Sequence, residues 1–413
     1  MVTVFGLGFV GLTTALSFAH LGYKVYGIDV DKERLRMIRD GNLPFHEPNM
    51  DEVLKKEVGK RFIPTDNVQA AVRDSDYIFY CVGTPYGENG AADLSYLFKA
   101  IDQTVASIDD DCYRVLITKS TIPPSTTREK IVPYIQNKGE VAKQIGVANN
   151  PEFLREGHCW DDVIHADRIV VGCEDSRAIA KIRILYEPIA NIPLFMVSYS
   201  TGEFIKYLSN TFLATMISYS NEMAEIADKL GQIDIANAFR ILHMDSRWNG
   251  CSMTSYIYPG CGYGGYCLPK DTNALYAQSR EKGFVPSILR EVIQTNEKRP
   301  AYMAKRICHV LKGKNKVGIL GLAFKPDSDD VRDTPAAKII KAVLAEGNIE
   351  IYAYDPLAMQ SFIDRYPELP VTLCVSMEEV VEKADVLAIT TAWPIFKSVD
   401  TYEKPLIDCR YMR

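Results

Sequence analysis

Residues 2–11 read VTVFGLGFVG, a β-branched and aromatic run that breaks into glycines, and TTALSFAHLG continues it as an apolar helical pattern. Strand, turn, helix is the reading. Gly6, Gly8 and Gly11 form G-x-G-x-x-G at that turn, a spacing that lets backbone approach a pyrophosphate at the positive end of a helix. A second strand, YKVYGIDV, closes on Asp29, 18 residues after Gly11. A carboxylate there can bond both ribose hydroxyls and repel a 2′-phosphate, so the pattern reads as a dinucleotide site that favours NAD over NADP.

Working outward, DKERLRMIRDG is the next helix, with Asp31 near its start and Gly41 beyond its end. Further strand-like runs follow at DYIFYCVGTP, YRVLITKST and IGVANNPEF, separated by segments long enough for helices. That alternation predicts a parallel α/β sheet to about residue 197. From residue 201 the periodicity becomes that of a long helix, with no glycine for the 28 residues from Glu203 to Leu230. Mostly helical sequence then runs to about residue 300. At Lys316 the α/β rhythm restarts, KVGILGLAFKPDSDD and AYDP echoing VFGLGF and GIDV. This is an internal pseudo-repeat whose second copy lacks the full glycine set, so it should hold something other than a second dinucleotide in the same manner. The expected fold is α/β, two Rossmann-like doubly wound parallel-sheet domains joined by a long central helix and a helical domain. The expected bounds are residues 1–198, 199–300 and 301–413.

A chain of 413 residues exceeds what one hydrophobic core supports. Hydrophobic residues at 47% and charged residues at 24% are the balance of an ordinary globular protein. A formal charge of -6 gives no global field for nucleic acid. No apolar run is long enough to span a bilayer, and the chain opens into a strand-like segment without a charged leader, so no membrane partner and a cytoplasmic location are expected. The ten cysteines include no CxxC pair and no cluster at zinc spacing, which predicts reduced, mostly buried thiols and no metal site.

One cysteine is set apart by its neighbours. Residues 260–272, GCGYGGYCLPKDT, surround Cys267 with glycines and follow it with Lys270 and Asp271. A basic neighbour makes thiolate available, and the carboxylate could accept a proton or orient the lysine. Taken alone, a structural cysteine in a glycine-rich turn fits the residues as well as a nucleophile does. Two more constellations leave a choice. Thr84 in CVGTP and Thr121 in KSTIPP end strands where ligands bind in such sheets, yet threonines there also cap helices. Lys206 and Asn210, four apart on the long helix, are either a snorkelling cation with a solvated neighbour or donors aimed at an oxygen that becomes negative.

GLGFVG, CVGTP, KSTIPP, NPEFLREG, EFIKYLSNTFLATMISYSNEMA, GYGGYCLPKD and FKPDSDDVRDTPA occur in this order, and together they resemble the UDP-glucose/GDP-mannose dehydrogenase family. GYGGYCLPKD is most similar to the branch acting on UDP-glucose. The resemblance implies NAD-dependent, four-electron oxidation of a nucleotide sugar's primary alcohol to a carboxylate, in the service of polysaccharide synthesis. It makes Cys267 the nucleophile that forms a thiohemiacetal and then a thioester. Lys206 and Asn210 would stabilise the oxyanion, Asp271 would assist proton transfer, Glu152 would be the base for thioester hydrolysis, and Thr121 would hold water and contact the cofactor. Implied cofactor contacts, beside Gly6, Gly8 and Gly11, are Val10, Asp29, Arg34, Thr84, Thr121, Glu156, Lys270 and Arg332. Implied substrate contacts are Glu152, Phe153, Leu154, Arg155 and Glu156, with Lys206 and Asn210. Tyr256, Ile257, Tyr258, Pro259, Gly260, Gly264, Phe324 and Lys325 complete the set. Arg247 matches an arginine that crosses a dimer interface into the neighbour's sugar site, its other reading being an ordinary surface arginine. A homodimer through the central helix is the implied assembly.

Overall fold

A computed structural model describes residues 1–87, 90–244, 259–283 and 285–412. The chain divides into two compact units, Met1–Leu208 and Ser209–Arg413. Arg247, Tyr256, Ile257 and Tyr258 lie outside the described residues.

Unit 1 is built on an eight-stranded sheet of β1 (Val2–Phe5), β2 (Val25–Ile28), β3 (Phe62–Thr65), β4 (Tyr77–Tyr80), β5 (Arg114–Thr118), β6 (Ile145–Asn149), β7 (Ile169–Gly172) and β8 (Leu194–Val197). Their order is β3-β2-β1-β4-β5-β6-β7-β8. β1 and β4 are buried along their whole length, because helices cover both faces, and their continuous apolar sequence follows from that burial. One face packs Leu12, Leu16 and Phe18 of the helix Phe9–His20 against Val2, Val4 and Phe79, while the other packs Leu97 and Ile101 against Phe5, Ile78 and Tyr80. The predicted helix after Asp31 is present at Lys32–Arg39, and Asp31 caps it by accepting from the N–H groups of Glu33 and Arg34.

The sheet departs from the all-parallel expectation at one point. β6 and β7 pair antiparallel, through the single residue pair Asn149 and Gly172. β7 and β8 pair parallel with each other. Side-chain chemistry replaces an extended ladder at that seam. The Asn149 amide packs so closely on Gly172 that a β-carbon there would lie 2.4 Å from Asn149 Oδ1, and its Nδ2 donates to the Tyr199 carbonyl at 3.0 Å.

Unit 2 holds a parallel sheet of β9 (Lys316–Leu320), β10 (Glu350–Tyr354), β11 (Val371–Leu373), β12 (Val386–Ile389) and β13 (Leu406–Asp408), ordered β11-β10-β9-β12-β13. Read in chain order, this is the arrangement of the first five strands of unit 1, so the repeat is structural as well as sequential. The helix Ser287–Leu311 packs on it through Met303, Ala304 and Ile307. The helix Cys267–Glu281 precedes it, and the helix Tyr199–Leu230 carries the boundary between the units.

Candidate active site

Unit 1 presents a helix N-terminus of the kind that binds anions. Gly8 is the N-cap residue of Phe9–His20 and no side chain caps that end. Gly11 has no room for a side chain, since a β-carbon would fall 1.7 Å from the Gly6 carbonyl oxygen. Asp29 anchors the turn. Its Oδ2 accepts from the Leu7 N–H at 2.7 Å and from Arg34 Nη1 at 3.0 Å, and Oδ1 accepts from the Asp31 N–H at 2.9 Å. About four acceptor positions are open to a carboxylate, so one remains for a ribose hydroxyl. The residues present therefore fit a dinucleotide with a free 2′-hydroxyl.

The two threonines resolve differently from their capping alternative. Thr84 Oγ1 donates to the Thr121 carbonyl at 2.9 Å, tying two strand-end turns together. Among the described helices, the next begin at Ser95 and Thr127, with Leu94 and Thr126 as N-caps, so neither Thr84 nor Thr121 is the N-cap of a described helix.

Beside these turns is a buried array of charges that the sequence did not reveal as an array. Lys206 Nζ pairs with Glu152 Oε1 at 2.9 Å, both side chains being less than a tenth exposed. Glu152 Oε2 accepts from the Leu154 N–H. Burial alone would raise the Glu152 carboxyl, but the Lys206 ammonium and these hydrogen bonds outweigh it and hold the carboxyl below its ordinary value. Phe153 lies between two cations, 5.6 Å from Lys206 Nζ and 4.4 Å from the Arg168 guanidinium. Arg155 instead turns to an exposed pair with Asp162. Lys119, of KSTIPP, was not singled out from sequence. Its Nζ donates to Asn150 Oδ1 at 3.0 Å, and burial pushes its ammonium below the usual lysine range against the pull of Cys81 and Glu152. A lysine closing a wholly buried strand was the available signal.

Unit 2 assembles the cysteine loop. Cys267 is exposed and opens the helix Cys267–Glu281, where the N-terminal end of the helix dipole favours negative charge on sulfur. Lys270 and Asp271 are buried in its first turn, with Lys270 Nζ 2.5 Å from Asp271 Oδ1. Asp271 Oδ2 accepts from Asn210 Nδ2. Burial disfavours the Lys270 charge, but the Asp271 carboxylate more than offsets it and keeps the ammonium above its ordinary value. Asn210 thus lies one turn after Lys206 on the same long helix, both buried, and the snorkelling alternative is excluded.

Several of the loop's glycines admit other parts of the protein. A β-carbon on Gly264 would lie 2.4 Å from the Asp333 carbonyl oxygen, and one on Gly265, at φ +76°, about 3.0 Å from the Phe324 ring. Gly265 N–H also donates to the Arg332 carbonyl. Gly260 faces Arg410, and its carbonyl accepts from the buried Arg299 at 2.7 Å. Arg332 pairs with Asp330 and stacks 4.8 Å from the Tyr266 ring, while Lys325 lies 5.6 Å from the Phe324 ring. Of the nine described cysteines, all are free, and only Cys112 and Cys267 are exposed. No group of metal-binding side chains occurs among the described residues, and no described helix is long and apolar enough to cross a membrane.

Three domain profiles of one family match the chain in sequence: the NAD-binding domain over residues 1–190, the central domain over 200–298 and the UDP-binding domain over 318–412. The chain belongs to the UDP-glucose/GDP-mannose dehydrogenase family. It is thereby an NAD-dependent oxidoreductase of nucleotide sugars. Among relatives in this family, the UDP-glucose 6-dehydrogenase of Pseudomonas aeruginosa is 35% identical over 409 residues, covering 96% of this chain and 88% of that protein. The corresponding enzyme of Haloferax volcanii is 34% identical over 97% of this chain and 93% of its own length. In three dimensions, a UDP-glucose dehydrogenase from Pyrobaculum islandicum superposes with a TM-score of 0.92 at 33% identity, over 100% of this chain and 94% of that one. A UDP-D-ManNAc dehydrogenase from Pyrococcus horikoshii gives a TM-score of 0.83 at 28% identity, over 98% and 93% of the two chains.

Proposed function

We propose that this chain oxidises UDP-glucose to UDP-glucuronate through a thioester on Cys267. The observation that carries the reading is that sulfur: an exposed thiol at the start of a helix whose first turn buries Lys270 and Asp271, the latter bonded to Asn210. NAD, held by the glycine turn and Asp29, supplies the hydride acceptor for each of the two oxidations. Once the alcohol is an aldehyde, the Cys267 thiolate adds to the carbonyl carbon, and Lys206 and Asn210 donate to the oxygen that becomes negative. Loss of the second hydride leaves a thioester. Water then attacks the acyl carbon, the carbon–sulfur bond breaks, and the thiolate is restored. Glu152, kept ionised by Lys206, takes the proton from that water. Asp271, bonded to Lys270 and Asn210, assists removal of the hydroxyl proton when the alcohol becomes the aldehyde. Phe324 and Lys325, Gly260 and Gly264 form part of the nucleotide-sugar site, with Arg332 and Lys270 toward the cofactor.

The assembly that fits is a homodimer through the long helix. Phe204, Leu208, Phe212 and Tyr219 are each about half exposed, on the face opposite the buried Lys206 and Asn210. Such a stripe is the mark of a partner surface.

Counting NADH per UDP-glucose tests the chemistry, and two is the expected number. One would replace the covalent route with a simple dehydrogenase. Cys267→Ser should lose turnover and retain NAD binding; undiminished acid formation by that variant would remove the thioester. A panel of nucleotide sugars tests the substrate, UDP-glucose being expected to give the highest kcat/KM.

A further inference from the structure

A small cleft in unit 1 is lined by Thr118, Ser120, Thr121, Asn149, Glu203 and Lys206 together with the apolar Ile122 and Pro151, and it offers about 10 Å³ to the centre of a water molecule, the room that one water needs. Glu203 is 3% exposed. Its Oε1 accepts from both the N–H and the Oγ1 of Thr127, at 2.7 and 2.6 Å, while its Oε2 is buried without a partner. Asn149 repeats the pattern: Nδ2 donates to Thr127 Oγ1 and the Tyr199 carbonyl, and Oδ1 has no partner. The Asn149 oxygen is packed against Gly172 and Gly202, whereas Glu203 lines the cleft with an oxygen that requires a donor, since leaving such a group unpaired costs about 1–3 kcal/mol. Water, with two O–H groups, supplies it.

We propose that the cleft is a water site and that Glu203 is its positioning residue: one internal water, donating to Glu203 Oε2, relays the ionisation of that carboxyl to the Lys206–Glu152 pair. As a carboxylate, Glu203 draws the water's hydrogens toward itself and leaves its lone pairs for ammonium protons. As an acid it donates to the water and turns those hydrogens outward. No bond to substrate is made, so the role is exerted through Lys206. Burial, only partly opposed by the hydroxyl and N–H of Thr127 and by the N–H of Ser125, raises the Glu203 carboxyl to about 7, within the range where an enzyme works. Of the charged groups around it, Glu129 on the helix beginning at Thr127 adds to the rise, and Lys206 on its own helix lines the same cleft; Thr127, Ser125 and Asn149 face it as neutral groups. The residue also fixes the turn that carries Thr121, where Ser125 takes a left-handed φ of +72° that needs support from its neighbours.

The inference rests on the dehydrogenase reading for its kinetic arm alone. A high-resolution crystal structure of the wild-type chain should show a water within hydrogen-bonding distance of Glu203 Oε2, and an empty cleft would overturn the proposal. Infrared difference spectra should show a protonated-carboxyl C=O band that titrates near pH 7 and is missing from Glu203→Gln; no such band between pH 5 and 8 would also overturn it. For turnover of UDP-glucose, Glu203→Gln should lower kcat roughly 10- to 100-fold, the worth of one hydrogen bond to a charged group. KM should be unchanged and the ionisation near pH 7 lost from the kcat profile. An identical profile in the variant would end the proposal. Should the wild type oxidise no nucleotide sugar, the functional reading falls while the crystallographic and infrared measurements still decide the water site.

Discussion

At the end of β1, Gly6 takes a φ of +85° and its N–H donates to the Ile28 carbonyl at 2.7 Å; at the end of β9, Gly321 takes +104° and donates to the Tyr354 carbonyl at 2.9 Å. In both turns the next residue is a leucine whose N–H donates at 2.7 Å to the aspartate closing the neighbouring strand, Leu7 to Asp29 and Leu322 to Asp355. The frames then part. GLGFVG enters a helix at Phe9, whereas GLAFKP puts Ala323 and Pro326 where Gly8 and Gly11 stand and does not start its helix until Pro335. The intervening segment in unit 2 carries Phe324 and Asp333, which fill the space left by Gly265 and Gly264. One turn therefore ends in an uncapped helix, and the other ends in a loop that supports the cysteine segment. The aspartates differ as well. Asp29 accepts three hydrogen bonds, but Asp355 accepts five, from the N–H groups of Leu322, Ala323, Leu357 and Ala358 and from the Trp393 indole. A saturated carboxylate is an internal brace and cannot also receive a ribose.

The sharpest way to break this comparison is at Gly11. Its missing β-carbon would sit 1.7 Å from a backbone oxygen, and no rotamer relieves a clash made by a β-carbon. Gly11→Ala should cost about 3 kcal/mol or more of stability in unit 1 and should abolish NAD binding, read by thermal denaturation and by titration with NADH. Next in size is the pair of aspartates. Asp355→Asn turns an amide's N–H groups toward N–H donors that have no other partner, and should destabilise unit 2 by about 3 kcal/mol while leaving NAD affinity unchanged. Asp29→Asn should reverse the emphasis, weakening NAD roughly tenfold with a smaller loss of stability. Equal effects of the two substitutions on NAD affinity would show that the division of labour is wrong.

The repeat was legible because its parts are local. Apolar strands that end in glycine, and an aspartate at the end of the next strand, follow from period and turn chemistry within 28 residues in the first copy, Val2 to Asp29, and 40 in the second, Lys316 to Asp355. The long helix was legible for the same reason. What escaped was set by distant partners. Glu203 and Lys206 stand three apart in EFIK, the spacing of an ordinary surface ion pair, yet each is buried and each bonds elsewhere, Glu203 to Thr127 and Lys206 to Glu152. Nothing in a helical period says that a charged residue faces inward. Likewise the glycines around Cys267 announced close approach without saying of what, and the approaching groups come from Phe324, Asp333 and Arg410, more than 50 residues later in the chain. The antiparallel step between β6 and β7 was hidden too, because it rests on one residue pair and an asparagine amide, with no sequence period to betray it.

The smallest expected effect is the most instructive, because it asks whether the glycine pattern makes the site. Ala323→Gly combined with Pro326→Gly restores all three glycines to the second turn. If the motif were sufficient, the full-length chain would then bind two dinucleotides. It should still bind one. The segment after Phe324 does not enter a helix at once, so no ring of unpaired N–H groups is presented to a pyrophosphate, and Asp355 has no acceptor position to spare. The cost should be limited to backbone entropy, about 1 kcal/mol of stability in unit 2, since neither new glycine removes a large side chain. Equilibrium dialysis with NADH reads the stoichiometry. A value of two would mean that the glycine spacing alone builds the cofactor site, and that the helix start and the unsaturated aspartate of the first turn are incidental to it.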